Sequence, residues 1–111
     1  MNEYGTHNEN FKFGVLEAMA TDLKAANLID GIGFQLHVNS ANADKGFNET
    51  ALRNVFTRIS DLDLEIHITE MTIAPDDAMY DTVDTVEEKI QLQGEVYAKA
   101  IKVCREFELC K

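Results

Sequence analysis

Three polar side chains that could line a reaction site recur along the chain at equal intervals. As many residues separate Tyr4 from His37 as separate His37 from Glu70, and each of the three ends a predicted strand. A carboxylate beside a histidine can act as a nucleophile or as a general acid or base, provided that both side chains reach one cleft. Taken one at a time, these residues also fit ordinary polar positions at a strand end.

The predicted strand that leads to Glu70 alternates apolar and polar side chains. Successive strand residues point to opposite faces. One face would carry Leu64, Ile66, Ile68 and Glu70, and the other Glu65, His67 and Thr69. We therefore expect Glu70 to continue an apolar line at its open end, where the surroundings can tune a carboxylate for chemistry.

The sequence before and after the predicted Glu70 strand indicates three helices and a further strand. Apolar residues at helical spacing predict a helix from Phe11 that ends near Asn27, which can adopt the left-handed conformation of a helix end. A buried strand is predicted over 29–36, a helix after Asn48, and a third helix after the capping box of Thr85 and Glu88. The stretches 38–47 and 71–84 are predicted loops. Each predicted helix has an apolar face. For the first helix it consists of Leu16, Met19, Ala20, Leu23 and Ala26, and for the second of Leu52, Val55, Phe56 and Ile59. For the third helix it consists of Val86, Ile90, Tyr97, Ile101 and Cys104.

This order of strands and helices is a run of βα units, which requires a parallel sheet. Polar groups that recur at the carboxyl ends of the strands are typical of a (β/α)8 barrel, whose active site is built there. A doubly wound sheet also binds ligands at that edge, so the spacing alone does not decide between them. A whole barrel needs about 250 residues. With 111 residues, this chain would be a piece of one.

Composition restricts the partners. The chain is 45% hydrophobic with one proline, enough for one globular unit or part of one. Neither a membrane span nor a signal peptide is evident. The net charge of −10 argues against nucleic acid and anionic membranes. Half of the 20 acidic residues lie between Ile59 and Glu88, a stretch without Lys or Arg. The negative charge of this stretch suits a neutral or cationic ligand. It is also typical of an acidic surface that faces solvent and binds no ligand.

Two motifs together resemble glycoside hydrolase family 10, the β-1,4-xylanases. They are Asp30–His37 (DGIGFQLH) and Ile66–Glu70 (IHITE). The resemblance implies a partial (β/α)8 TIM barrel from the end of strand 5, at Asn2–Tyr4, through helix 7, which would carry Gln93 and Tyr97. Residues 1–111 would then be a fragment of a single catalytic domain, from its C-terminal part, with the remainder of the barrel upstream and downstream.

The family resemblance also implies a function for the site residues. Glu70 would be the nucleophile of a retaining mechanism that cleaves internal β-1,4 bonds of xylan. His37 would orient Glu70, and the xylan-binding cleft would include Asn2, Tyr4, Gln35 and His37. We expect no metal and no cofactor.

Several positions depart from the family pattern. Thr72 stands where an acid is usual, Gly5 where asparagine is frequent, and Glu3 where aspartate is common. A retaining glycosidase also needs a second carboxyl group about 5–5.5 Å from the first. The family's acid/base glutamate would lie upstream of Met1, and Glu65 is expected on the wrong face of its strand. We therefore expect the isolated chain to be inactive.

Cys104 and Cys110 stand where many family members have a disulfide. Such a bond would imply an oxidising compartment and a secreted parent protein. Two free thiols are the alternative.

Two other interpretations compete with the xylanase. A metal site could draw on His7, His37, His67 and Glu70, although His67 and Glu70 would face opposite sides of one strand. A small non-catalytic α/β domain could instead bind a partner through the acidic loop after Glu70. Such a domain would fold alone and leave no large apolar helix faces exposed.

Overall fold

Strands and helices alternate along the chain. The structure, a computed structural model, describes residues 1–39, 47–74 and 85–111, without the side chains of Tyr4, Asn39 and Ala74. The elements are β1 (Asn2–Tyr4), α1 (Phe11–Ala25), β2 (Gly31–Asn39), α2 (Glu49–Ser60), β3 (Glu65–Ala74) and α3 (Val86–Cys104). This order confirms the predicted run of βα units.

The three strands form one parallel sheet in the order β1-β2-β3. The predicted parallel sheet is therefore confirmed, but β2 begins two residues later than predicted, and both β2 and β3 end later than expected. β2 continues through Val38 and Asn39, and β3 continues from Met71 to Ala74. The predictions that His37 and Glu70 end their strands, and that loops begin at 38 and 71, were wrong. Both strands extend because their alternation continues: Val38 and Ile73 are paired in register and buried.

All three helices pack on the same face of the sheet. A single buried cluster joins Phe13 and Leu16 of α1, Phe56 of α2 and Val103 of α3 to the β2 side chains such as Phe34. The predicted inner face of α2, from Leu52 to Ile59, is buried as expected. Helices on one face and strands in sequential order are features of a barrel segment, whereas a doubly wound sheet has helices on both faces.

The helix starts follow the predicted signals. The Asn48 side chain accepts a hydrogen bond from the backbone N–H of Ala51 at 3.0 Å. Thr85 and Glu88 form the predicted capping box, with both bonds at 3.2 Å. Asn27 after α1 has a φ of 55°, the left-handed conformation expected there. Local side-chain chemistry therefore fixes these boundaries.

The predicted apolar faces of the two outer helices were partly wrong. Met19 of α1 is exposed, together with Phe11 and Val15. On α3, the predicted positions Val86, Ile90 and Ile101 are exposed, and the buried residues are Val96, Ala100 and Val103. In contrast, α2, which lies between α1 and α3, has no large hydrophobic side chain exposed among its described residues. The outer helices thus have a second apolar face, which the rest of the described chain leaves uncovered. No described helix is long and apolar enough for a membrane span.

Residues after α3 return to the sheet. Ile66 donates its N–H to Leu109 O at 2.8 Å and accepts from Lys111 N–H at 2.9 Å, which places 109–111 parallel to the start of β3. A disulfide joins Cys104, at the end of α3, to Cys110. The two cysteines therefore fasten this short parallel segment to the helix before it.

Two arginines of α2 connect the helices. Arg53 donates to Glu106, after α3, at 2.6 Å and to Glu49 at 2.9 Å. These hydrogen bonds lower the pKa of Glu106 and of Glu49 below the ordinary value of a glutamate. Arg58 pairs with Glu17 of α1 and lies over the ring of Phe13.

Candidate active site

The site lies on the face of the sheet opposite the helices. We call it the open face, and Gln35, His37, Glu70 and Thr72 define it. Their neighbours in the strands, Leu36, Val38, Met71 and Ile73, contact the helix side. The open face therefore presents polar side chains from two adjacent strands.

A β-bulge in β3 determines which way Glu70 points. Phe34 pairs with Ile68, but the next residue, Gln35, pairs with Glu70, so Thr69 is the extra residue. Because one residue is inserted, the alternation changes phase, and both Ile68 and Met71 lie against the core. The prediction that Glu70 continues the apolar line of Ile66 was wrong for this reason. Glu70 instead shares the open face.

His37 and Glu70 meet there, in the contact that the family resemblance implied. His37 Nε2 lies 3.0 Å from Glu70 Oε2, a hydrogen-bond distance. The side chains are 34% and 51% exposed, so a ligand can reach the pair. Gln35 is the register partner of Glu70, and Tyr4 is the register partner of Gln35. The backbones of Tyr4, Gln35 and Glu70, all predicted site residues, thus lie side by side across the three strands. The side chain of Tyr4 is not among those that the structure describes.

Asn2 and Thr69 fasten β1 to the bulge. Thr69 Oγ1 donates to Asn2 Oδ1 at 2.9 Å and lies 3.2 Å from the carbonyl oxygen of Phe34. Gly33 leaves room for this contact, since a Cβ there would lie 2.9 Å from both Asn2 Oδ1 and Thr69 Cγ2. Asn2, expected in the substrate cleft, is therefore bonded to the residue before Glu70.

Thr69 is the site residue that sequence reasoning missed. Strict alternation predicts a regular strand position for Thr69, although the apolar positions shift from even numbers, Ile66 and Ile68, to odd numbers, Met71 and Ile73. That change of phase is the sequence signal of an inserted residue.

Glu65 and His67 also lie on the open face, which corrects two predictions. The phase change puts them on the same side as Glu70, and His67 Nε2 lies 3.0 Å from Glu65 Oε2. Glu65 is nevertheless four register steps before Glu70, or about 13 Å at roughly 3.3 Å per step. Glu3 is the register partner of Phe34, whose side chain lies in the core on the helix side of the sheet, and it binds Lys12 at 3.0 Å. Neither carboxylate therefore supplies a partner 5–5.5 Å from Glu70 of the kind that a retaining mechanism needs.

The other candidate sites find less support. Within the described ranges, no group of three or more His, Cys, Asp or Glu side chains is arranged to hold a metal ion. His7, a candidate ligand, is buried in the segment between β1 and α1. Thr72 is the register partner of His37 and is exposed. Most of the acidic loop predicted after Glu70, residues 75–84, lies outside the described residues.

Comparisons with known proteins agree with the fold and with the motifs. The sequence model of glycosyl hydrolase family 10 matches residues 1–111. Endo-1,4-beta-xylanase B of Thermotoga neapolitana is 30% identical over 93% of this chain and 28% of its own length. Endo-1,4-beta-xylanase A of Caldicellulosiruptor saccharolyticus is 34% identical over 78% of this chain and 25% of its own length.

Solved structures give the same result. Native xylanase 10B from Thermotoga maritima superposes with a TM-score of 0.82 at 30% identity, covering 99% of this chain and 32% of that one. Xylanase 10B from Thermotoga petrophila RKU-1, in complex with xylobiose, gives 0.79 at 27% identity, covering 99% and 31%.

The chain spans less than a third of the length of these relatives. The predicted partial (β/α)8 TIM barrel is confirmed, because these neighbours are xylanase barrels that are matched over only part of their length. With the family model matched from the first residue to the last, the chain belongs to glycosyl hydrolase family 10.

Proposed function

We propose that the chain is part of a retaining endo-β-1,4-xylanase in which Glu70 is the nucleophile and His37 orients it. The observation that supports this most directly is the contact of 3.0 Å between His37 Nε2 and Glu70 Oε2 on the open face. Family membership supports hydrolysis of xylan, and the related xylanase from Thermotoga petrophila was solved with xylobiose.

The chemistry follows from which oxygen His37 contacts. Because His37 is directed at Oε2, we assign Oε1 of Glu70 to the attack on the anomeric carbon of the sugar. The bond from Oε1 to that carbon forms while the bond to the leaving sugar oxygen breaks, and the leaving oxygen takes a proton from an acid. Water then displaces Glu70 from the glycosyl-enzyme, so the configuration at the anomeric carbon is retained.

The acid that protonates the leaving group would come from outside this chain. Glu65 is too far from Glu70, and Glu3 is paired with Lys12. The relatives are more than three times as long as the part that this chain matches. We therefore propose that the complete protein supplies the acid/base carboxyl group and that residues 1–111 alone do not hydrolyse xylan.

The exposed apolar faces of two helices support a larger protein over the small non-catalytic domain. The outer helices α1 and α3 have uncovered apolar faces, whereas α2 between them has none among its described residues. A domain complete in itself would bury such faces. The disulfide between Cys104 and Cys110 supports the further proposal that the protein is secreted into oxidising surroundings.

The test is a pair of matched variants in the complete protein that contains this chain. Glu70→Gln should lower kcat on xylan by at least about a thousandfold, because removal of a nucleophile ends the covalent route. Glu65→Gln changes the same residue type on the same strand and face, and should leave kcat within about threefold. Equal effects of the two changes, or full activity of Glu70→Gln, would reject Glu70 as the nucleophile.

A further inference from the structure

Side chains of α3 hold the part of β3 that follows Glu70. Gln93 Nε2 donates to the carbonyl oxygen of Ile73 at 2.7 Å. The hydroxyl of Tyr97 accepts from Ile73 N–H at 3.3 Å and donates to Met71 O at 3.4 Å. Both polar backbone groups of Ile73, and the carbonyl directly after Glu70, are therefore satisfied by two side chains of one helix.

These contacts lie on the edge of β3 that faces away from β2. In a parallel strand the N–H and C=O of one residue point to one side, and those of the next residue point to the other. At the start of the same edge, Ile66 bonds to the backbone of Leu109 and Lys111 as a neighbouring strand would require. At Met71 and Ile73 the side chains of Gln93 and Tyr97 occupy the place of such a strand.

The bulge makes this support important for Glu70. A strand with an inserted residue can slip by one position, and a slip moves every later side chain to the opposite face. On the helix side, Ile73 is buried with Val38 and Val96, and the ring of Tyr97 packs against them. Glu70 therefore lies between Thr69, which is bonded to Asn2, and a segment whose backbone is fixed by α3.

We propose that Gln93 and Tyr97 are positioning residues for Glu70. They fix the register of β3 after the bulge, and this register turns Glu70 toward His37. Their described contacts are with the backbone of Met71 and Ile73 and, for the ring of Tyr97, with the helix side of the sheet, so both act through that backbone. An effect of Gln93 and Tyr97 on catalysis rests on the proposed function, in which Glu70 is the nucleophile. Their effect on the contact between His37 and Glu70 does not depend on that function.

The test measures that contact by NMR in the complete protein that contains this chain. The variants are Tyr97→Phe, which keeps the ring and removes the hydroxyl, and Gln93→Leu, which removes the amide. We expect the ring nitrogen signals of His37 to move toward those seen in Glu70→Gln. Amide exchange at Ile73 should speed up roughly tenfold, as expected when a hydrogen bond that holds a locally opening segment is lost.

Two controls separate positioning from a general loss of stability. Gln91 bonds to Glu95 on the exposed side of α3 at 3.2 Å, so Gln91→Leu should change neither signal. His67, which contacts Glu65 before the bulge, is an internal reference whose ring signals should stay constant in every variant. Unchanged His37 signals in Tyr97→Phe and Gln93→Leu would overturn the proposal. So would equal shifts at His37 and His67, because they would indicate a structural effect on the whole sheet.

The outcome is distinguishable from failure of the proposed function. If Glu70→Gln leaves xylan hydrolysis by the complete protein intact, the xylanase assignment of Glu70 fails. The NMR result for Gln93 and Tyr97 would still decide whether they position its side chain.

Discussion

Gly33→Ala is the sharpest structural test of the site, because it adds a single methyl group between two strands. In the structure, a Cβ at Gly33 would lie 2.9 Å from Asn2 Oδ1 and 2.9 Å from Thr69 Cγ2. Both distances are below van der Waals contact. The methyl group must therefore push apart Asn2 and Thr69, whose hydrogen bond of 2.9 Å joins β1 to the bulge.

The size of the effect follows from this crowding. Overpacking of one methyl group costs about 1–3 kcal/mol. The hydrogen bond between Thr69 and Asn2 adds little to this cost when it breaks, because both side chains are exposed and can bond to water instead. In a larger domain each kcal/mol lowers Tm by about 2–4 °C, so we expect the Tm of the complete protein to decrease by about 2–12 °C. Thermal unfolding followed by circular dichroism measures it.

A second glycine provides the matched control. Gly94 lies within α3, and a Cβ there would have no heavy atom within 4 Å. Gly94→Ala should therefore raise the free energy of unfolding by about 0.5–1 kcal/mol through the helix propensity of alanine. If Gly33→Ala is as stable as the parent chain, or if both variants change Tm in the same direction, the described packing of Asn2, Gly33 and Thr69 is wrong.

Three further predictions concern the elements that support the site. Phe56→Ala, which removes a buried ring 5.3 Å from that of Phe34, should lower the free energy of unfolding by about 3–5 kcal/mol in urea titration, and a loss below 1 kcal/mol would contradict the described core. Asn48→Ala should cost about 0.5–2 kcal/mol in the same titration, since it removes the cap of α2, and no change would mean that the cap does not form. The bond from Arg53 lowers the pKa of Glu106, so this pair stabilises the fold above the ordinary glutamate pKa of about 4.3 and loses its effect as the pH falls through the lowered value. Glu106→Gln should therefore lower Tm at pH 7 and have a smaller effect at acid pH, and an effect that grows toward acid pH would reject the pairing.

Local chemistry was sufficient to predict the parts of the fold that depend on neighbours in sequence. The caps at Asn48 and Thr85 and the end of α1 at Asn27 follow from one side chain and the backbone beside it. The inner face of α2 was also predicted correctly, because this helix is covered on both sides and has one apolar stripe. Family motifs, rather than periodicity, identified the pairing of His37 with Glu70.

Features that depend on distant residues were not predictable in this way. Met19 and Ile90 look like core residues by spacing, but an apolar stripe does not tell which neighbour covers it, and in this chain both are exposed. The face of Glu70 depends on the bulge at Thr69, which is stabilised by Asn2 at the N-terminus, 67 residues earlier in the chain. The contact of Gln93 with Ile73 likewise joins a helix to a strand, and no local pattern encodes it.

Covalent trapping of Glu70 tests the central claim most directly. The complete protein is incubated with a fluorosugar xyloside that has a dinitrophenolate leaving group, which departs without help from an acid, and the labelled peptide is sequenced by mass spectrometry. The account predicts one glycosyl group on the peptide that contains Glu70, and none on that peptide in Glu70→Gln. A label on a different carboxylate, or turnover of the reagent without a covalent adduct, would contradict it.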